Sequence, residues 1–423
     1  MLTRRRFLGY SAVASAVSHP SFWSQAAQQG QPAQGSAAGM PAPQISARAV
    51  DIHKRALVFD GHVHALDREF YHGGSFGTEY SDGQWDLMRA KEGGVGAFFC
   101  SIYVPEAYLP GRFETKQAFR RIDHALQQIE ANRDTVELAL NADDVLRIRA
   151  SGKIAAVLDL EGSYDLDGDL GLLRDLYRLG LRSAMLSAHN ANQNYADSCC
   201  TEPKWGGLTE HGREVIGEMN RLGMIINVSH AGDQTISQAI DVSDHPLVAT
   251  HGGMRSIVDI PRCMPDDLMQ KLAAKGGVFG FQIGSDFNNL RAYKYVQQGR
   301  KAGFWDISGV AARVQGKNLY EIDGMEGPGF PMVGPRLPDS VAMTVDEWVD
   351  AVDKAIQLIG EDHVSIGSDF DGGPPLARGM RDVRDLPMIT DAMLRRGYSE
   401  QRIGKFWGGN LLRVFRLVTQ NRS

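Results

Sequence analysis

The sequence predicts an α/β protein, a TIM-like (β/α)8 barrel with a metal site at the C-terminal rim of its strands. Three observations lead to that fold. Eight short apolar runs alternate with longer amphipathic segments, the rhythm of a parallel barrel. No G-x-G-x-x-G turn marks a doubly wound open sheet. And His, Glu and Asp residues follow the apolar runs repeatedly, at positions that a parallel barrel gathers on one rim.

The runs are 57–59, 95–104, 154–160, 183–186, 224–228, 247–249, 277–283 and 364–367. Between them, 113–132, 169–180, 208–222 and 344–358 carry helical periodicity, and 399–407 and 410–418 read as closing helices. The stretch from about 285 to 340 breaks the rhythm. It is rich in Gly, Pro and aromatic residues and reads as an insertion between the seventh and eighth strands. No internal repeat is visible.

Hydrophobic residues make up 43% and charged residues 23%, proportions that support a substantial core. Net charge is −6 and the body of the chain has no basic run, which argues against nucleic acid as a partner. Near the N-terminus, Thr3-Arg4-Arg5-Arg6-Phe7-Leu8 resembles a twin-arginine export signal. The apolar stretch that follows, 9–17, is too short and too polar to span a bilayer, and no longer one occurs later. Residues 1–30 are therefore read as a signal peptide and 31–45 as a flexible linker, with a single domain over 46–423 and a periplasmic or secreted destination. Of the four cysteines, Cys100 reads as an apolar filler. Adjacent cysteines rarely pair, so the expected disulfide, if any, joins Cys199 or Cys200 to Cys263.

The chemistry is concentrated after the strands. His62 and His64 follow the first run, Glu161 the third, His189 the fourth, His230 the fifth, His251 the sixth and Asp369 the eighth. Five of the twelve histidines stand at these positions. Any one of them is more often an ordinary loop histidine; the pattern is what points to a site. Imidazoles suit zinc and similar divalent ions, and a carboxylate can bridge two of them. His62, His64 and Glu161 are expected to hold one metal, and Glu161, His230 and His251 a second. Asp369 is placed to accept a proton from attacking water and return it to a leaving amine. His189 either steadies a developing oxyanion or supports a neighbouring residue. Arg262 is a candidate grip for a substrate carboxylate, with Arg255 as a competitor.

These motifs resemble the membrane (renal-type) dipeptidases, a branch of the amidohydrolase-type barrels. The resemblance rests on Asp60-Gly61-His62, Gly93-Gly94-Val95-Gly96-Ala97-Phe98, Leu160-Glu161-Gly162, Asn227-Val228-Ser229-His230 and Thr250-His251. Arg262 with Pro265-Asp266-Asp267, the segment Gly367-Ser368-Asp369-Phe370-Asp371-Gly372 and the tail Gly409-Asn410-Leu411-Leu412-Arg413-Val414-Phe415 extend it to the C-terminal end. It implies two zinc ions bridged by Glu161, a dipeptide substrate with a D-residue often tolerated at its C-terminal position, and a homodimer. It also implies roles: Arg262 as carboxylate anchor, His189 at the scissile carbonyl, Asp369 as acid/base. Three residues depart from the family pattern. His64 stands where an Asp is usual, Cys263 where an Asn is usual, and Ser163 where a Gly is common. The first removes a negative charge from the site and opens a second reading, hydrolysis of another small amide, lactam or ester. A non-catalytic metal-binding protein is a third.

Overall fold

The computed structural model describes residues 45–162, 169–187, 189–297 and 307–420. The signal, nearly all of the linker and Ser163 lie outside the described residues. Nine parallel strands form one sheet: β1 (Val58–Val63), β2 (Val95–Val104), β3 (Val136–Leu138), β4 (Ile154–Gly162), β5 (Leu181–Met185), β6 (Ile225–Asn227), β7 (Val248–Gly252), β8 (Val278–Phe281) and β9 (Val364–Ile366). Eight of them follow one another around the barrel in the order β1-β2-β4-β5-β6-β7-β8-β9. The circle closes just beyond β9, where Asp369 N–H donates to the His62 carbonyl at 2.9 Å and His64 N–H to the Phe370 carbonyl at 3.0 Å. The predicted barrel is present.

The ninth strand, β3, was not expected. It pairs with Ile154–Ala156 at the start of β4, on the edge that β5 takes over from Leu158 onward. Three residues with a central Glu137 carry too little apolar signal to be read as a strand. Helices at Ala47–Arg55, Ala142–Ala150, Asp233–Val242, Asp266–Ala274 and Pro387–Arg395 also supplement those read from periodicity. Between β8 and β9 the described residues form the short helices Ser285–Asn288, Leu290–Val296, Ile307–Val314 and Leu319–Glu326, followed by the longer helix Val345–Ile359.

Side chains alternate across each strand, so residues two apart share the barrel interior. At the N-terminal end that interior is apolar: Phe59, Ala97, Phe99, Ala155, Val157, Ile225, Val248 and Val278 pack together. The helix Asn410–Gln420 plugs this end with Leu411, Val414, Phe415 and Val418. Phe415 meets Phe59 and Phe99 edge to face, at 6.5 and 6.3 Å between ring centres. Truncating a buried Phe of this kind costs about 3–5 kcal/mol. Two steps further along the same faces, β2 offers Ser101 and Tyr103 and β4 offers Asp159 and Glu161, all buried. The interior thus turns from apolar to polar along the strands, with the bottom sealed and the C-terminal end left for chemistry.

The expected disulfide to Cys263 is not formed. Cys199 is bonded to its neighbour Cys200, and Cys263 is a buried free thiol. The reason is local packing. The Cys263 thiol is turned toward Gly253 and the Phe287 carbonyl, whereas the Cys199 backbone is hydrogen-bonded to the carbonyl of His230. Cys100 is fully buried in the core, as read. Among the described residues, no helix is long and apolar enough to cross a membrane.

Candidate metal centre and active site

His62 lies on the last turn of pleat in β1 and His64 just past it. Their Nε2 atoms are 3.3 Å apart, and both face one oxygen of Glu161, Oε2, at 2.7 and 3.1 Å. Glu161 is the penultimate residue of β4. Its other oxygen, Oε1, lies 3.6 Å from His230 Nε2 and 3.8 Å from His251 Nε2, themselves 3.1 Å apart. Each carboxylate oxygen therefore serves one pair of imidazoles, the geometry of a bridge between two cations. The ligand atoms of His62, His64 and Glu161, and of Glu161, His230 and His251, fall within 4.8 Å of one another; so do those of His62, His251 and Asp369. All of these side chains are buried.

Electrostatics fit the same occupant. Burial pushes both His62 and His64 toward the neutral form, but the surrounding carboxylates together outweigh it, Glu161 first, joined by Asp159 at His62 and by Asp369 and Asp67 at His64, and raise them, His62 to about 9. Reciprocally, the two imidazoles overcome burial at Glu161 and hold it well below the usual carboxylate range. The centre thus demands positive charge beside Glu161. His230 and His251 are pushed well down, by burial first and then by Arg262 and His62 respectively. Neutral imidazole is the ligand form, with a lone pair to give. The donor set of four imidazoles and a shared carboxylate accordingly fits two borderline divalent ions.

Three further side chains hold these groups in place. Asp67 accepts from His64 Nδ1 at 2.6 Å and from Arg121, both partners being buried. It places a negative charge one bond beyond His64, the carboxylate–histidine pairing common around metals. Ser101 donates to Glu161 Oε2 at 2.7 Å. Asp159 lies 3.5 Å from His62 Nδ1.

Asp369 sits beside the pair. Its Oδ2 accepts from the Gln282 amide, while Oδ1 is buried with no hydrogen bond, 3.3 Å from His64 Nε2 and 3.9 Å from His62 Nε2. The adjacent turn leaves no spare volume. A Cβ on Gly372 would lie 2.0 Å from Asp369 Oδ1 and 2.6 Å from the His64 ring. His189, His230 and Asp369 all hold left-handed backbone, with φ of 41, 62 and 63°. For a non-glycine residue that costs on the order of 1–3 kcal/mol, a concentration of strain typical of functional sites.

His189 stacks on His230 with ring centres 4.1 Å apart, and Glu106 Oε1 accepts at its Nδ1 at 2.7 Å. Tyr103 stands between His189 and His64, 5.2 Å from each ring. Of the two arginines, Arg255 is already committed. It forms a two-point ion pair with Asp233, at 2.5 and 2.8 Å, and donates to the carbonyls of Cys263 and Pro261. Arg262 donates to the His251 carbonyl at 3.1 Å, pairs with no carboxylate among the described residues, and lines one narrow pocket with His230 and His251. Its Nε is buried without a partner.

Comparison with known proteins places the chain in a family. The profile of the membrane dipeptidase family (peptidase family M19) matches residues 46–423. The chain belongs to that family. It is 31% identical to the dipeptidase tcpJ of Claviceps purpurea over 344 residues, which is 79% of this chain and 69% of that one. It is 30% identical to the dipeptidase verJ of Clonostachys rogersoniana, covering 79% and 76%. Among solved structures, the probable dipeptidase PvdM of Pseudomonas aeruginosa superposes with a TM-score of 0.72 at 27% identity, over 88% of this chain and 98% of its own. As a member of this metallopeptidase family, the chain is an enzyme that hydrolyses peptide bonds.

All eight residues singled out in the sequence thus lie on one rim. Sequence reasoning did not single out Asp67, Ser101, Tyr103, Glu106 or Gln282. Glu106 and Gln282 were within reach of the rim argument, since they follow β2 and β8, strands to which no site residue had been assigned. Asp67 had only its spacing of three from His64 as a signal.

Proposed function

We propose that the chain is a two-zinc dipeptidase whose substrate is held by its free carboxylate at Arg262. The observation that carries this reading is the Arg262 guanidinium, which shares one pocket with His230 and His251, donates to the His251 carbonyl and pairs with no carboxylate among the described residues. An arginine kept there without a carboxylate partner is poised to receive one. His62, His64 and Glu161 would hold one ion, and Glu161, His230 and His251 the other. When bound, such a pair polarises a carbonyl and makes water acidic enough to attack at neutral pH.

The remaining steps fall to side chains. Asp369, with Oδ2 fixed by Gln282 and Oδ1 free, takes the proton of the attacking water and returns it to the leaving amine. His189, oriented by Glu106, steadies the oxygen of the scissile carbonyl as charge develops. Arg262 fixes the C-terminal end so that the single peptide bond of a dipeptide lies over the centre. A D-residue at that end is accommodated in this reading. The test is Arg262→Ala, assayed on free dipeptides and on the same dipeptides with amidated C-termini. The anchor role predicts that KM rises at least tenfold for the free substrate alone. An equal response from both substrates would favour another amide or ester as the natural substrate, the reading that His64 first suggests.

Two further parts of this proposal rest on sequence alone. The Thr3–Leu8 stretch supports export of the folded protein by the twin-arginine route, and replacing Arg5 and Arg6 by Lys should retain the protein in the cytoplasm. A homodimer is proposed on family resemblance, and sedimentation measures it directly.

A further inference from the structure

The Cys199–Cys200 disulfide has no place in the mechanism above, yet it is built into the site's frame. Cys199 N–H donates to the His230 carbonyl at 2.8 Å. The Ser198 hydroxyl lies 2.5 Å from the His189 carbonyl and 3.2 Å from that of His230. Ser198 also forms an antiparallel bridge with Ala231, and Gly232 N–H donates to the Asp197 carbonyl at 3.0 Å. One loop, 197–200, thus grips the backbone of two site histidines, both in the left-handed conformation that a free chain avoids. Cys199 is buried, and Cys200 is the more exposed of the two. A cavity of about 350 Å³ gives a reductant an approach to the loop, with Asp197, Ser198, Cys199, Thr201, Pro203 and Arg255 in its wall, and Cys200 is half-buried.

We infer that Cys199–Cys200 is a redox-controlled clamp that a dithiol or phosphine reductant opens, and that opening it releases His189 and His230 from their working positions. With a dithiol, a thiolate attacks one sulfur of the pair, the S–S bond breaks and a mixed disulfide forms. The second thiol of the reductant then displaces the protein sulfur. Two electrons and two protons end on Cys199 and Cys200, and the reductant leaves as its cyclic disulfide; a phosphine instead attacks one sulfur, the other leaves as thiolate, and water converts the phosphonium to phosphine oxide and releases the second thiol. Closure of the bond joins neighbouring residues in one small ring and limits the backbone of the loop; the dithiol form carries no such limit. The inference rests on His189 and His230 belonging to the active site, so its test includes a readout independent of turnover.

The experiment uses the metal-loaded protein, air-oxidised or treated with tris(2-carboxyethyl)phosphine, a reductant without thiols. Thiol counting by mass shift follows the bond. Amide hydrogen exchange follows the peptides containing Cys199 and His230, and metal content is checked in both states. Reduction is expected to speed exchange at both peptides and to lower kcat/KM for a dipeptide at least about tenfold, since misplacing reacting groups by an ångström costs up to about a hundredfold. Reoxidation restores both. A Cys199→Ser/Cys200→Ser double variant should match the reduced form and ignore the reductant. Four free thiols in the oxidised protein, unchanged exchange after reduction, or unchanged kcat/KM with the bond verifiably open would each overturn the inference. If no dipeptide is cleaved in either state, the exchange result still decides whether the clamp exists, and the failure belongs to the proposed substrate.

Discussion

Asp67→Asn isolates the effect of a charge that never touches the metal ions. Asn has the same shape as Asp and can still accept from His64 Nδ1, but it carries no charge. The carboxylate it replaces is 1% exposed, lies 2.6 Å from His64 Nδ1, and is shared with buried Arg121. As a ligand, the His64 imidazole brings no negative charge of its own, and Asp67 is the carboxylate hydrogen-bonded to it. Removing such a support costs about 10–100-fold in metal affinity, or about 1.4–2.7 kcal/mol. A second cost is separate. Arg121 loses its buried partner, which destabilises the fold by about 3–5 kcal/mol. The assay is competition with a chromophoric zinc chelator at 25 °C, followed in parallel with thermal unfolding of the metal-free protein. The expected result is a drop of at least tenfold in affinity at one of two sites, along with a lower Tm. A lower Tm with both affinities within twofold of the parent would show that Asp67 only neutralises Arg121, and the argument from charge compensation would fail.

The other predictions address different links in the account. Asp369→Asn should reduce kcat by at least a hundredfold while metal content stays near that of the parent; equal activity would remove Asp369 from the proton path. Gly372→Ala should abolish most activity, because its methyl group would meet both Asp369 and His64; activity within threefold would show that the turn relaxes at no cost to the site. His53 is buried and hydrogen-bonded to Thr390 and the Gly93 carbonyl, each at 2.8 Å, and burial lowers it from 6.5 to about 4 despite the Gly93 contact. Between those pH values the unfolded chain binds a proton that the folded chain does not, so stability falls as pH drops from about 6.5 to about 4, by at most about 3 kcal/mol from this group. Urea unfolding at pH 7, 6 and 5 should show a shallower fall for His53→Gln than for the parent; parallel curves would contradict the assignment.

The barrel was legible because each core strand is buried on both faces and therefore reads as an unbroken apolar run, with its polar residue immediately after it. That rule located His62, Glu161, His230, His251 and Asp369 without any knowledge of distance. It could mark positions such as Glu106 and Gln282, which follow β2 and β8, but not the roles of groups whose partners lie far away in sequence. Asp67 is shared between nearby His64 and distant Arg121, Glu106 acts through His189 and Gln282 through Asp369, and the long-range pairings exist only once the barrel has closed. β3 escaped because its three residues make a short patch at the start of β4 rather than a full barrel position. The Cys199–Cys200 bond escaped for a different reason. Adjacent cysteines seldom pair, and only the grip of the 197–200 loop on His189 and His230 gives that bond a structural context.

The central claim is that His62, His64, Glu161, His230 and His251 form a two-metal centre for peptide hydrolysis. The most direct test measures release of free amino acids from L-L and L-D dipeptides by the purified protein: as isolated, after chelation, and after zinc is titrated back. The account predicts activity that disappears with the metal and returns in full as two equivalents are restored. Failure of the fully loaded protein to cleave any dipeptide would contradict it, and so would activity that survives complete removal of metal.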